Sequence, residues 1–184
     1  VTAALSVGGK ERALASRNII ATLPGSDPEL RDQAVILGTH LDHLGRVGAQ
    51  VYLGADDNAS GVAALLEIAR VFGTMEHRPR RTLIFAFWTG EEEGKFGSGH
   101  WVRHPMWPLA STVTYINIDM IGDRDLGIQR EWASNQELMD LIWKVAADLG
   151  YDRYFLARGS GVMDDHAAFL EQGVPAVDLI DFDY

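Results

Sequence analysis

Histidine and carboxylate side chains stand directly after the apolar runs of this sequence and in two polar stretches. Those that follow an apolar run are His40, Asp42, Glu91, Glu92, Glu93 and Asp119. Those in the two polar stretches are Asp56, Asp57, Asp164, Asp165 and His166. Imidazole nitrogens and carboxylate oxygens form a ligand set that zinc and other divalent cations accept. The pattern indicates a metal centre, in which one carboxylate can bridge two ions about 3.5–4 Å apart that clamp a water and a carbonyl.

The spacing within two of these motifs predicts different roles for neighbouring residues. Successive side chains diverge, so Glu91 and Glu92 cannot easily bind one cation; one is expected to be a ligand and the other a general base. Asp42 follows His40 by two residues, and this spacing allows it to orient the imidazole through its second ring nitrogen.

Each of these residues also has an explanation that needs no metal. A His-x-Asp pair commonly forms a turn, Asp57 stands where an aspartate would cap the next helix, and a glutamate run is usually a solvated surface. Asp119 is compatible with a turn, and His166 with a donor at a helix start. The metal site is favoured because these features coincide at one edge of the predicted sheet.

The hydrophobic pattern predicts the elements that position these side chains. Continuous apolar runs predict strands covered on both faces, and apolar residues three and four apart predict helices. The predicted strands are 17–23, 34–39, 81–89, 112–118 and 176–181, and the predicted helices are 62–72, 98–104, 136–149 and 165–172. Alternating strands and helices predict an α/β fold, a single three-layer domain over 1–184 with a largely parallel mixed sheet. Ligands of such sheets bind beyond the carboxyl ends of the strands.

Length and composition restrict the function classes. A length of 184 residues is typical of one domain. Within it, the segment 1–17 has no clear hydrophobic pattern and is poorly defined. With 26 acidic against 16 basic side chains and a net charge of -10, nucleic acid is not an expected partner. No apolar run is long enough to predict a membrane span, and no signal peptide is expected in this chain. Because cysteine is absent, any metal must be held by His, Asp and Glu.

Five stretches, in order, resemble the motifs of the co-catalytic dizinc aminopeptidases. They are THLDHLG (39–45), GADDNASG (54–61), GEEEGKFGS (90–98), NIDMIG (117–122) and DDHAAFLEQGVPA (164–176). This is metallopeptidase family twenty-eight, which includes bacterial leucyl aminopeptidases, glutamate carboxypeptidase and, more distantly, glutaminyl cyclase. The similarity runs from about Asn18 to Tyr184. It implies a fold of the zinc-aminopeptidase (phosphorylase/hydrolase-like) type and a zinc-dependent exopeptidase.

The resemblance implies a role for each matching residue. One zinc would be held by His40, Asp57 and Asp119, and a second by Asp57, Glu92 and His166, while Asp42 would be the outer partner of His40 and Glu91 the general base. A metal-bridged water would lose its proton to Glu91 and attack the scissile carbonyl of a peptide with a free N-terminus. Manganese or cobalt are potential substitutes for the two zinc ions.

Two features depart from the family pattern. Lys95 stands where relatives usually carry leucine, and the sequence stops at DLIDFDY, where many relatives continue into a His-Thr-containing loop and a closing helix. We therefore expect either a compact variant or a shortened chain. Of the other histidines, His43 is compatible with a position just outside the metal ligands, and the remaining ones, His77, His100 and His104, are predicted on the surface.

Two alternative functions fit the same resemblance. A glutaminyl-cyclase-type acyltransferase works with one zinc, but such enzymes tend to carry an insertion that would separate Glu92 from the following Gly97-Ser98, which are close here. A binding module on this scaffold would lose ligands, whereas this sequence retains them. We therefore expect a metallo-aminopeptidase that hydrolyses N-terminal residues from peptides. The export of relatives predicts a secreted or periplasmic location.

Overall fold

The computed structural model describes residues 15–183, so only the last part of the segment 1–17 lies within the described residues. The strands are β1 (Ile19–Leu23), β2 (Ala34–His40), β3 (Arg46–Val47), β4 (Gln50–Val51), β5 (Thr82–Trp88), β6 (Thr112–Asp119), β7 (Ile128–Glu131), β8 (Phe155–Ser160) and β9 (Ala176–Ile180). The helices are α1 (Ala59–Thr74), α2 (Phe96–Arg103), α3 (Gln136–Asp148) and α4 (His166–Leu170). In this part of the chain no helix is long and apolar enough to cross a membrane.

Seven of the strands form one mixed sheet in the order β1-β5-β2-β6-β9-β7-β8. The four central strands β5, β2, β6 and β9 are parallel neighbours, whereas β1 and β7 pair antiparallel with β5 and β9. Strands β3 and β4 form a separate two-stranded ribbon. The predicted α/β class is confirmed, and the parallel centre brings the carboxyl ends of β2, β5 and β6 to one edge.

Both faces of the sheet are covered, because the alternate residues of its central strands enter two different apolar clusters. All seven residues of β5 are buried, as a strand covered on both sides requires. On one face, Trp88 and Tyr115 pack with Trp101 of α2 and Phe169 of α4. On the other face, Leu65 of α1 packs against the remaining side chains of β5. These layers hold the central strands in place, and with them the residues at their ends.

The structure contains strands that the hydrophobic pattern does not predict. Strand β7 has the sequence IQRE and buries both Gln129 and Glu131, so its composition is that of a loop although its environment is that of a core. Strand β8 ends in Arg158, Gly159 and Ser160. Both strands form because β7 adds to the edge of β9, a pairing between distant parts of the chain that local composition does not encode.

Candidate metal centre

His40, the last residue of β2, lies between two carboxylates at the carboxyl edge of the sheet. Its Nε2 atom is 3.1 Å from Oδ1 of Asp57 and 3.3 Å from Oδ1 of Asp119. The other ring nitrogen, Nδ1, is 2.9 Å from the backbone carbonyl oxygen of Asp42, whereas the Asp42 carboxylate is 4.0 Å away. Asp42 therefore contacts the imidazole through its carbonyl group more closely than through the expected carboxylate.

The donor set around His40 fits a divalent cation. Within the described residues, Nε2 of His40 and Oδ1 of Asp119 are buried and have no hydrogen-bond partner of normal geometry. Burial by itself lowers the pKa of His40, but the carboxylates of Asp119 and Asp57 outweigh it and raise the pKa to about 12. A positive charge is thus strongly favoured between these side chains, and zinc accepts one imidazole and carboxylates as ligands.

A second group of potential ligands lies on the other side of Asp57. It consists of His43, Asp57 and Glu92, whose ligand atoms lie within 4.8 Å of one another. Nδ1 of His43 is 2.5 Å from Oε1 of Glu92 and 3.5 Å from Oδ2 of Asp57. These side chains are partly exposed, at 19%, 24% and 17% for His43, Asp57 and Glu92. Asp57 is therefore common to a closed group around His40 and a more open group around Glu92.

The side chain of Asn58 holds the adjacent Asp57 in its position in the folded structure. Its side-chain oxygen accepts a hydrogen bond from the backbone N–H of Gly61 and so caps α1. Its side-chain amide donates to Oγ1 of Thr39 at 2.9 Å and to the carbonyl oxygen of Ile118 at 3.1 Å. Thr39 and Ile118 immediately precede His40 and Asp119, so one buried amide ties the three ligand-bearing segments together. The peptide bond between Asp57 and Asn58 is cis.

Glu91 lies at the same edge, in the loop that follows β5. Its backbone N–H donates to Oδ1 of Asp42 at 3.4 Å. Burial, together with the nearby charges of Asp164 and Asp165, raises the pKa of Glu91 to about 7. A carboxylate with a pKa near neutrality can take up and release a proton at neutral pH. Glu93, the third glutamate of this run, is exposed.

His166 does not join Asp57 and Glu92, so the predicted second ligand set is not assembled. Its side chain is fully buried, with Nε2 3.1 Å from Oε2 of Glu131 and Nδ1 3.7 Å from Oδ2 of Asp178. The physical reason is the packing of α4, which contacts α2 and β9 and turns its first residue into the sheet between β7 and β9. The sequence motif gives the residue type but not this direction.

Glu131 is the partner of His166 that sequence reasoning missed. It is 1% exposed and accepts hydrogen bonds from the backbone N–H groups of Ala133 and Ser134 at 2.9 and 2.7 Å. The backbone N–H of Val162 donates to it at 3.3 Å. Burial alone raises the pKa of Glu131, but these donors and His166 lower it to about 2. The Glu131 carboxylate therefore links β7 to the segment that leads into α4. This role depends on contacts between distant segments, so the sequence around Glu131 does not indicate it.

A chain of buried hydrogen bonds also reaches the Asp164–Asp165 pair from the core. Nε1 of Trp88 donates to the hydroxyl of Tyr115 at 2.8 Å, and this hydroxyl donates to Oδ1 of Asn117 at 2.5 Å. The side-chain amide of Asn117 donates to Asp164 at 2.5 Å and to Asp178 at 3.0 Å. These hydrogen bonds hold Asp164, whose charge, together with that of Asp165, contributes to the raised pKa of Glu91.

Comparison with known proteins decides the family. Residues 18–184 match the model of peptidase family M28. The chain belongs to peptidase family M28. This match confirms the resemblance based on the five sequence motifs, and it covers the strands, loops and helices that build the centre around His40.

Family relatives are similar over most of the chain. A probable glutamate carboxypeptidase from Arthroderma benhamiae is 30% identical over 178 residues, which cover 88% of this chain and 23% of the relative. The leupeptin-inactivating enzyme 1 from Streptomyces exfoliatus is 33% identical over 159 residues, or 86% of this chain and 34% of the relative. The chain thus spans about a quarter of the first relative's length and about a third of the second's.

Solved structures share the fold and include two kinds of enzyme. The glutaminyl cyclase of an Acidobacteriales bacterium has a TM-score of 0.80 at 28% identity, with 91% of this chain and 59% of that chain covered. A Zn-dependent exopeptidase from Parabacteroides distasonis has a TM-score of 0.75 at 29% identity, with 90% and 64% covered. The M28 scaffold of this chain is therefore that of zinc-dependent exopeptidases and of glutaminyl cyclases.

Proposed function

We propose that this chain forms the catalytic centre of a zinc-dependent aminopeptidase, which removes N-terminal residues from peptides. The observation that carries the proposal is the position of Asp57. Its Oδ1 atom faces His40 at 3.1 Å, and its carboxylate also lies within 4.8 Å of a carboxylate oxygen of Glu92 on the opposite side. A carboxylate shared between two ligand groups has the arrangement of a bridging ligand between two metal ions.

The donor atoms divide between two ions in this proposal. His40, Asp57 and Asp119 would hold one zinc, and Asp57 and Glu92 would reach a second. Zinc bound there would polarise the scissile carbonyl and acidify the attacking water. The protein supplies a rigid arrangement, because β2, β6 and the start of α1 are joined by the side chain of Asn58.

Glu91 would move the proton during hydrolysis. The carboxylate takes a proton from the attacking water and returns it to the nitrogen of the departing amine, so that it ends the cycle in its starting state. Glu92 points to the ligand group beside Asp57, which leaves its neighbour Glu91 free for this task. The hydrogen bond from the backbone N–H of Glu91 to Oδ1 of Asp42 links the base to the end of β2, which carries His40.

The surroundings of the centre support a substrate with a free amino group. A cleft of about 760 Å³ lies beside the loop that carries Glu91, and Asp42, Gly90 and Glu93 are among the residues that line it. Carboxylates that line such a cleft attract a protonated α-amino group and repel a carboxylate. This charge pattern favours an aminopeptidase over a carboxypeptidase.

The second candidate is a glutaminyl-cyclase-type acyltransferase that uses one zinc. The observation in its favour is the TM-score of 0.80 to a solved glutaminyl cyclase. The two functions give different products from a peptide that begins with glutamine, because hydrolysis releases the free amino acid and cyclisation releases ammonia and leaves the chain intact.

The experiment combines a metal count with product analysis. The purified chain is stripped of metal, reloaded with zinc and offered a panel of aminoacyl arylamides and a peptide with N-terminal glutamine. We expect zinc in about a twofold molar amount and release of N-terminal residues. One zinc per chain with a cyclised, otherwise intact product would overturn the aminopeptidase in favour of the cyclase, and zinc binding without any turnover would contradict both.

A further inference from the structure

We infer that the space between α2 and α4 is a subsite for a carboxylate group of the peptide substrate, held by Lys95 and Arg103. The inference rests on the proposed function and names a class of substrate for it, peptides with a negative charge on the side of the departing amine. A pocket of about 240 Å³ lies between the two helices, and both cations line it. Its other walls include the small residues Gly99 and Ala168, which leave room for a bound group.

The sequence of α2 places the two cations on one face of the helix. Lys95 is the N-cap of α2, and Gly99 and Arg103 follow at spacings of four residues, so the three positions lie above one another. The backbone N–H of Gly99 donates to the carbonyl oxygen of Lys95 at 2.9 Å. A Cβ atom on Gly99 would lie 3.3 Å from Nη1 of Arg103, so the guanidinium group folds back over the glycine, one turn nearer to Lys95. The missing side chain at Gly99 keeps the space between the two cations open.

The charges of this pocket are not neutralised inside the described part of the chain. Neither Lys95 nor Arg103 forms an ion pair with a carboxylate there, although the net charge of the protein is -10. Nζ of Lys95 donates to the carbonyl oxygen of Met163 at 3.2 Å, which orients the ammonium group and leaves its charge in place. Glu171 is the acidic residue among the described residues of the lining. Two cations against one carboxylate make the pocket positive, so it attracts an anionic group.

The pocket adjoins the cleft beside Glu91. Phe96 is 61% exposed and lines both the cleft and the pocket, so the two spaces meet at its ring. The backbone N–H groups of Gly94 and Lys95 both donate to the carbonyl oxygen of Glu91 at 2.8 Å, which holds the proposed base and Lys95 within one turn of backbone. A peptide whose amino group lies in the acidic cleft can therefore extend past Phe96 and place a carboxylate between Lys95 and Arg103.

Two groups of a peptide carry this chemistry, the C-terminal carboxylate of a short peptide and an acidic side chain after the scissile bond. Two pairs of peptides distinguish them. The first pair is Leu-Ala-Ala with a free or an amidated C-terminus. The second pair is amidated Leu-Glu-Ala and amidated Leu-Gln-Ala, which differ only in the charge of the middle residue.

The readout is the dissociation constant of each peptide, measured by isothermal titration calorimetry with the zinc-loaded Glu91→Gln protein, in which turnover is slow. In at least one pair, we expect the charged peptide to bind about tenfold more tightly than its uncharged partner, because charge-assisted hydrogen bonds to the two cations favour it. Lys95→Gln and Arg103→Gln, each added to Glu91→Gln, should bring this ratio close to one. Lys95→Arg should keep the ratio, and Glu171→Gln should raise it, because it removes the opposing charge.

Arg78→Gln in the same background is the matched control, because Arg78 is an exposed arginine that precedes β5, at the opposite end of that strand from Glu91. Its ratio should equal that of the protein with Glu91→Gln alone, and circular dichroism checks that each variant is folded. A ratio close to one in both pairs of peptides would overturn the subsite. So would a preference that persists in both Lys95→Gln and Arg103→Gln.

The subsite and the proposed function fail in different ways. Hydrolysis of aminoacyl arylamides by the wild type, measured in parallel, tests the peptidase without the pocket, because these substrates carry no carboxylate. A carboxylate preference in binding without any hydrolysis would support the subsite and contradict the peptidase. Hydrolysis by a protein that shows no such preference would support the peptidase and overturn the subsite.

Discussion

The side-chain amide of Asn58 lies 2.9 Å from Oγ1 of Thr39 and donates a hydrogen bond to it. Asn58 directly follows Asp57, and Thr39 directly precedes His40. This bond therefore holds two ligand-bearing stretches of the chain in a fixed relation, although 19 positions separate its partners. The same amide contacts the backbone of Ile118, one residue before Asp119. The geometry of the centre thus depends on a residue that offers no ligand itself.

Asn58→Ala is predicted to weaken both folding and zinc binding. It removes the cap of α1 and leaves Oγ1 of Thr39 and the carbonyl oxygen of Ile118 without this donor, so we expect a loss of about 2 kcal/mol in the free energy of unfolding. Urea unfolding gives the stability, and a zinc titration gives the affinity, which should fall at least tenfold.

Asn135→Ala is the matched control, because Asn135 caps α3 through the backbone N–H of Leu138 and belongs to neither ligand group. It should cost about 1 kcal/mol of stability and leave zinc affinity unchanged. Equal zinc affinities in the two cap variants would show that Asn58 does not position the ligands.

Glu91→Gln is predicted to slow turnover strongly while the zinc content is retained. The amide cannot take a proton from water, so we expect kcat of arylamide hydrolysis to fall by about 10²–10⁴-fold. Zinc content should equal that of the wild type, because Glu91 is in neither ligand group. Glu76→Gln, the same change at an exposed glutamate beyond the end of α1 and outside both ligand groups, serves as control and should retain activity. A Glu91→Gln enzyme with wild-type kcat would rule out this general base.

The sequence predicts well what depends on local pattern. The runs 34–39, 81–89 and 112–118 are continuous enough to be identified as buried strands, and each becomes one. Because these strands are parallel neighbours, the residues after them meet at one edge, which brings His40 and Asp119 together. Length, spacing and the rule for parallel sheets suffice for this part of the site.

The remainder of the site depends on contacts between distant segments. Whether His166 turns towards the metal edge or into the sheet is decided by the packing of α4 and by the charge of Glu131. Glu131 lies on β7, a strand that the hydrophobic pattern does not predict. Likewise, His43 gains its place from the approach of Glu92, which is 49 positions away. A sequence motif gives the types of the residues, whereas the direction in which their side chains point depends on how the folded segments pack.

His166→Ala is predicted to reduce stability while the zinc content is retained. The substitution leaves the buried Glu131 carboxylate without this hydrogen-bond partner, which costs about 1–3 kcal/mol. Urea unfolding and elemental analysis of the folded fraction measure the two quantities. The control is His100→Ala, an exposed histidine on α2, for which we expect no change in either. A stable His166→Ala protein that has lost one zinc would instead make His166 a ligand.

Removal of metal is predicted to destabilise the protein, because it leaves the carboxylates of Asp57, Asp119 and Glu92 close together without a cation. A bound ion at about a thousandfold its dissociation constant contributes about 4 kcal/mol, which for a chain of this size corresponds to a fall in Tm of about 10 °C on chelation. Differential scanning calorimetry before and after chelation, and again after zinc is restored, measures the change. Asp57→Asn is the internal control: it weakens the shared ligand, so chelator should shift its Tm much less than that of the wild type. If chelator shifts both proteins equally, the stabilising ion is bound elsewhere.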